Sequence, residues 1–199
     1  MRKAKLIVVG CLLVLGVAGV SQANLIADPS FESGGSGSPW TGVNRWYDGS
    51  TLTWLPHGAG TWCAQVLTDD SPPEVTQTLS ATYNANKVYD FSMWMTHDNG
   101  ATATTRTIDI GYDPGTGFVS LASASGGGAA RSWVQITGQY TTGASGSEIG
   151  KNIIVVLGNG SGGWTGWDDD AELIETPEPA TMGLLALGGV GFLLRRRRR

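Results

Sequence analysis

Basic residues, cysteines and histidines are scarce in this chain of 199 residues, and each scarcity closes a class of function. Of the 13 lysines and arginines, Arg2, Lys3, Lys5 and Arg195 to Arg199 sit at the two ends. Between Asn24 and Thr176 only Arg45, Lys87, Arg106, Arg131 and Lys151 remain, against sixteen acids, a balance of −11. Such a surface disfavours nucleic acid and anionic membranes and suits divalent cations or neutral partners. The only cysteines are Cys11 and Cys63, so no internal disulfide forms once the N-terminal segment is removed, and a half-buried strand position is expected for Cys63. His57 and His97, the only histidines, have no nucleophile-and-base motif around them and are expected on surface loops. Glycoside hydrolysis needs an acid and a base facing each other across a cleft, and the spacing of the acids does not place them so. No catalytic set is therefore read, and the chain is not expected to be an enzyme. Also missing between the ends is any long apolar period of 3.6 residues, which argues against a helical domain.

Both ends, by contrast, carry strong signals. Met1 to Lys5 is basic, Leu6 to Val20 is apolar, and Ser21-Gln22-Ala23 offers small residues, the three parts of a secretory signal peptide cleaved after Ala23. A lipoprotein cut at Val8-Val9-Gly10-Cys11 would leave about five apolar residues before it, below the usual range of about 7–15. At the other end Pro177-Glu178-Pro179 precedes Ala180 to Leu194, which holds no charge, and then five arginines. At a rise of about 1.5 Å per residue the apolar segment covers roughly 22 Å, short for a bilayer core of about 30 Å, so bilayer thinning and snorkelling arginines would have to help. The arginines should stay cytoplasmic, leaving the rest of the chain on the far side of the membrane.

Pro-Glu-Pro, a short apolar helix and a terminal arginine cluster, in that order, closely resemble the PEP-CTERM sorting signal of Gram-negative bacteria; an ordinary tail anchor with a proline linker is the alternative. The resemblance implies that an exosortase recognises Pro177, Glu178 and Pro179 and removes the helix and arginines during export, often to a matrix rich in exopolysaccharide. The expected organisation is a signal peptide over 1–23, one domain over 24–176 and the sorting signal over 177–199, with a transient inner-membrane anchor and a destination at the cell surface or extracellular matrix.

About 153 residues from Asn24 to Thr176 suffice for one core. Short alternating runs separated by turn residues predict an all-β, two-sheet sandwich. The expected strands are Arg45–Tyr47, Thr51–Trp54, Thr61–Leu67, Val75–Ser80, Val88–Thr96, Thr104–Tyr112, Val119–Ala122, Trp133–Thr141, Lys151–Gly158 and Trp167–Ile174. Tyr89, Phe91, Met93 and Met95 share one face, as do Ile108, Ile110 and Tyr112. Pairing Phe91 with Ile110 and Met93 with Ile108 would align the two faces in a hairpin, setting Trp94 across from Thr107 and Ser92 across from Asp109. The glycine-rich stretches Ser123 to Ala130, Ser145 to Ser147 and Gly158 to Gly163 read as surface loops.

Three separated pieces, Asn24 to Glu32 with Pro39-Trp40, Val75 to Leu79 leading into Val88 to Trp94, and Trp133 to Ile136 with Ile153 to Leu157 and Asp169 to Leu173, together resemble the jelly-roll carbohydrate-binding modules of the galactose-binding-like class. In the last strand Trp167, Asp169, Ala171 and Leu173 alternate onto one face, and Ala171 and Leu173 mark it as buried. A buried Asp169 needs a partner. The resemblance implies that Glu32 helps hold a structural Ca²⁺, with Glu32 and Asp169 as its carboxylates; backbone amides bonding to Asp169 are the equal alternative. Eight tryptophans offer flat apolar surfaces on which sugar C–H faces stack. Trp40, Trp62, Trp133 and Trp167 are expected to pack, which leaves Trp46, Trp54, Trp94 and Trp164 as the candidate polysaccharide platform. Non-catalytic polysaccharide binding is the leading expectation, followed by a structural matrix or adhesion protein without a sugar site, and then by a small glycan hydrolase.

Overall fold

The structure, a computed structural model, describes residues 22–34, 37–42, 45–48, 56–58, 60–67, 74–98, 105–161 and 165–177. The signal segment through residue 21, the expected strand Thr51–Trp54, the apolar segment 180–194 and the arginine tail lie outside them. Among the described residues no helix is long and apolar enough to cross a membrane.

Among the described residues nine strands form two antiparallel sheets. They are β1 (Arg45–Asp48), β2 (Trp62–Leu67), β3 (Glu74–Thr82), β4 (Lys87–His97), β5 (Thr105–Tyr112), β6 (Val119–Gly126), β7 (Val134–Thr141), β8 (Asn152–Ser161) and β9 (Thr165–Pro177). One sheet has the order β1-β2-β9-β4-β7 and the other β3-β8-β5-β6. The core lies between them. Tyr89, Phe91, Met93 and Met95 from one sheet meet Ile108, Ile110, Val155 and Leu157 from the other. The expected sandwich is therefore the observed fold.

The expected pairing of β4 with β5 is wrong. Phe91 pairs with Gly138 and Leu173, whereas Ile110 pairs with Ala122 and Val155 in the opposite sheet. Alternation correctly identifies which faces are buried, but two buried faces meet as readily across a sandwich about 10 Å thick as side by side in a ladder. Trp94 consequently lies opposite Gln135 and Asp169, not Thr107, and Ser92 opposite Thr137 and Glu172, not Asp109.

Two glycine-rich stretches are also more ordered than expected. β6 continues through Gly126, where a Cβ would sit 3.0 Å from Ile136 Cγ1, and β8 continues through Ser161. The same logic applies within β7: a Cβ on Gly138 would run into the Phe91 ring and sit 3.0 Å from the Ala124 Cβ. Gly138→Ala should therefore lower the unfolding free energy by about 1–3 kcal/mol, read from urea denaturation, as overpacked cores do.

The N-terminal segment is built into the fold. Asn24, next after the expected cleavage site Ala23, donates its side-chain amide to the Ala171 carbonyl at 2.9 Å and accepts from the Leu173 amide at 3.0 Å. Phe31, at a positive φ of 57°, turns its ring into the core against Trp40.

Candidate functional site

β9 does not alternate throughout. Asp169 pairs with Trp94 and Glu172 with Ser92, so two residues, Asp170 and Ala171, stand opposite Met93 alone. Asp170 takes a φ of 46° at this bulge. The extra residue inverts the faces on its N-terminal side. Asp168, opposite the core residues Ala64 and Met95, points between the sheets, while Asp169 lies on the outer face with Trp94. The expected common face for Asp169, Ala171 and Leu173 is thus corrected.

Asp168 meets Arg106 of β5 inside the sandwich. Arg106 donates from Nε to Asp168 Oδ1 at 3.0 Å and from Nη2 to Oδ2, and both side chains are wholly buried. Burial pushes the Asp168 carboxyl up, and the guanidinium pulls it back. Gly166 leaves room for the arginine, since a Cβ there would fall 2.9 Å from Arg106 Cδ. Sequence reading missed this pair, although Arg106 is in phase with Ile108 and Ile110 and that phase marks it as inward.

Outside the five-stranded sheet, successive cross-strand rows carry polar groups. Asp169, Trp94 and Gln135 form one row, Glu172, Ser92 and Thr137 the next, and Asp90 with Gln139 the third. Between them runs a groove of about 510 Å³ whose polar lining is Asp90, Ser92, Gln135, Thr137, Gln139 and Glu172. Gln135 Nε2 donates to Ser92 Oγ at 3.3 Å and Gln139 Nε2 to Asp90 Oδ1 at 2.6 Å. None of the residues lining the groove is basic.

Trp94 borders this groove and is half-buried. The His57 ring stacks on it with centroids 4.1 Å apart and 17° between planes, and meets Trp133 edge-on at 5.4 Å. Asp170 Oδ2 lies 2.7 Å from His57 Nδ1, and the His57 amide donates to Asp169 Oδ2 at 2.9 Å. One face of the expected platform is therefore covered, and Trp133, expected only to pack, joins the cluster. Trp46 lies in β1 opposite Ala64, and Trp54 and Trp164 lie outside the described residues. The described residues do not unite the four candidate tryptophans. His97 is not on a loop surface; it ends β4, 3% exposed, with Nδ1 3.0 Å from the Asp98 carbonyl and Nε2 2.9 Å from that of Gly128. Cys63 is fully rather than half buried, and burial, followed by the charges of Asp169, Asp168 and Glu32, raises its thiol pKa.

Glu32 and Asp169 belong to one electrostatic neighbourhood. Asp169 is 0% exposed, accepting from the amides of Asp170 at 2.8 Å and His57 at 2.9 Å. Burial, then the charges of Asp170 and Glu32, push its pKa up to about 8 despite those two amides. Glu32 Oε1 accepts from the amides of Thr61 at 2.8 Å and Trp62 at 3.1 Å. Gly60 makes this cradle possible, because a Cβ there would fall 2.5 Å from that oxygen. Among the described residues no three carboxylate, imidazole or thiol groups converge as a metal cluster.

The comparisons agree with this architecture. Residues 175–199 match the PEP-CTERM protein-sorting motif. Such a motif marks an exported chain that an exosortase processes and that is anchored at its C-terminus until then. No curated protein matches the chain. Among solved structures, TmCBM61 in complex with β-1,4-galactotriose is similar, with TM-score 0.52 and 18% identity over 77% of this chain and 99% of that one. The CBM22-1 xylan-binding domain of Paenibacillus barcinonensis Xyn10C gives 0.55 and 15% over 80% and 99%. A cyclase from Fischerella sp. TAU gives 0.55 and 13% over 79% and 98%, so the fold itself does not separate binding from catalysis. The chain thus carries a PEP-CTERM protein-sorting motif behind an all-β sandwich of the architecture found in carbohydrate-binding modules.

Proposed function

We propose that the exported domain binds a polysaccharide without altering it, in the groove across the outer face of the five-stranded sheet, at the cell surface or in the extracellular matrix. The observation that carries this reading is the groove itself. Sugar hydroxyls need paired donors and acceptors, which Ser92, Thr137, Gln135 and Gln139 offer beside Asp90 and Glu172, and Trp94, paired with Gln135, supplies aromatic surface next to them. The likeness to modules that carry galactotriose or bind xylan supports it. Affinity electrophoresis on a panel of polysaccharides tests the reading. Retardation by at least one glycan is expected, and Trp94→Ala should weaken it about 30-fold, the effect of losing roughly 2 kcal/mol at an aromatic anchor. No retardation on any glycan would leave a structural matrix or adhesion role in its place, and reducing-sugar release would favour the hydrolase.

Calcium suits the same neighbourhood. Asp169 is a buried carboxylate that accepts from the amides of Asp170 and His57, while Asp170 and Glu32 add negative charge around it. A hard divalent cation would be held by Glu32 and Asp169 with backbone carbonyls, its charge offsetting theirs. Its part is structural, tying the N-terminal segment that carries Glu32 to β9.

A further inference from the structure

The last strand and the sorting motif share residues. β9 ends at Pro177 and the motif begins at residue 175, so Glu175, Thr176 and Pro177 both finish this strand and open the motif. They are fully paired along β4: Glu175 lies opposite Tyr89, Thr176 opposite Val88 and Pro177 opposite Lys87. Glu175 is also clamped from the side. Its carboxylate takes the Lys87 ammonium at 3.0 Å, the Asn84 side-chain amide at 2.9 Å and the Tyr89 hydroxyl at 3.1 Å. Burial works against its charge, yet these partners hold its pKa below the usual carboxylate range. The clamp has its own support, because Tyr89 Oη accepts from the Asn84 amide at 2.7 Å and Thr142 Oγ1 donates to the Asn84 carbonyl at 2.6 Å. No spacer residue separates the folded sheet from Pro177.

A protease binds its substrate as an extended segment whose backbone groups are free to pair with the enzyme, and a strand laddered to its neighbour must first fray. Any cut up to the Thr176–Pro177 bond would require the clamped end of β9 to leave β4. We propose that this strand end sets the position of exosortase processing: the cut spares every residue through Pro177, and the Glu175 clamp bars the enzyme from bonds further upstream. At the cut the peptide C–N bond breaks, the carbonyl carbon takes the oxygen of water or the nitrogen of an acceptor amine, and the departing nitrogen takes the proton. The released domain then keeps all of β9 and the clamp. This rests on the sorting motif and not on the polysaccharide reading, and its readout is a mass, independent of any sugar.

The full chain is produced in a Gram-negative host carrying an exosortase, and the C-terminal peptide of the released protein is identified by mass spectrometry. Every released chain should end at or beyond Pro177, with the mass distinguishing a free carboxylate from an amine adduct. Glu175→Gln and Lys87→Met, which loosen the clamp, should add termini upstream of Pro177. A short Gly-Ser spacer between Thr176 and Pro177 leaves every clamp residue in place, so it folds even where the point variants do not, and it should admit cuts within the spacer. A wild-type terminus at Thr176 or earlier overturns the proposal. So does one unchanged terminus in all three variants, or release with residues 180–194 still attached.

Discussion

Replacing Arg106 by methionine is expected to destabilise the domain by about 3–5 kcal/mol, because it strands Asp168 as an uncompensated charge between the sheets. Methionine fills much of the arginine's volume, so the loss reports the ion pair and not a cavity. Removing both partners, as Arg106→Met with Asp168→Leu, should recover most of the stability, since apolar replacements of a buried pair are often neutral. Urea unfolding of the two single variants and the double variant forms a cycle that isolates their coupling. Near-additive losses would contradict the view that the two residues act as one unit.

The second large effect concerns Asp169 and should appear as a pH dependence that calcium abolishes. In the metal-free domain its folded pKa is about 8, against 3.8 in the open chain. Between about pH 4 and pH 8 the folded state therefore keeps a proton that the unfolded chain has lost, and stability falls as pH rises through that window. Each unit of such a shift corresponds to about 1.4 kcal/mol, so the decline amounts to several kcal/mol at most. Calcium at neutral pH should raise the thermal midpoint, most strongly near pH 8 where the carboxylate is ionised. Asp169→Asn should flatten the metal-free pH profile and remove the calcium response together. A wild-type midpoint indifferent to calcium at pH 8 would argue instead that the amides of Asp170 and His57 are all the support the carboxylate receives.

Much of this fold is written in period-two alternation. The buried faces of β4 and β5 follow directly from Tyr89 to Met95 and from Ile108 to Tyr112, as does the absence of helices among the described residues. Alternation is silent on which strand lies beside which, and so Phe91 and Ile110, which share a core but not a sheet, look like ladder partners. It also fails wherever one residue is inserted. The bulge at Asp170 exchanges the places of Asp168 and Asp169, so the carboxylate expected in the core is beside Trp94 and its neighbour is the one paired with Arg106. Nothing in Asp168-Asp169-Asp170 announces that insertion.

The candidate site was legible in parts. Trp94 on a polar sheet face, and the polar partners a sugar would need on that face, follow from the spacing within β4. Gln135, Thr137 and Gln139 belong to that face only because β7 is the neighbour of β4, a pairing between segments some forty residues apart that no local pattern encodes. His57 was missed for the same reason. Its ring reaches Trp94 because its backbone amide is held by Asp169, a contact across 112 positions of chain.

The central claim is that the groove bordered by Trp94 binds a polysaccharide. Calorimetric titration of the domain with the glycan that retards it most, alongside Trp94→Ala, Gln135→Ala and Glu172→Gln, tests it most directly. The account predicts saturable heat for the wild type, a loss of about 30-fold for Trp94→Ala and smaller losses for the two groove variants, each variant being folded at the temperature of the titration. Affinity that survives all three substitutions in the folded domain would contradict it.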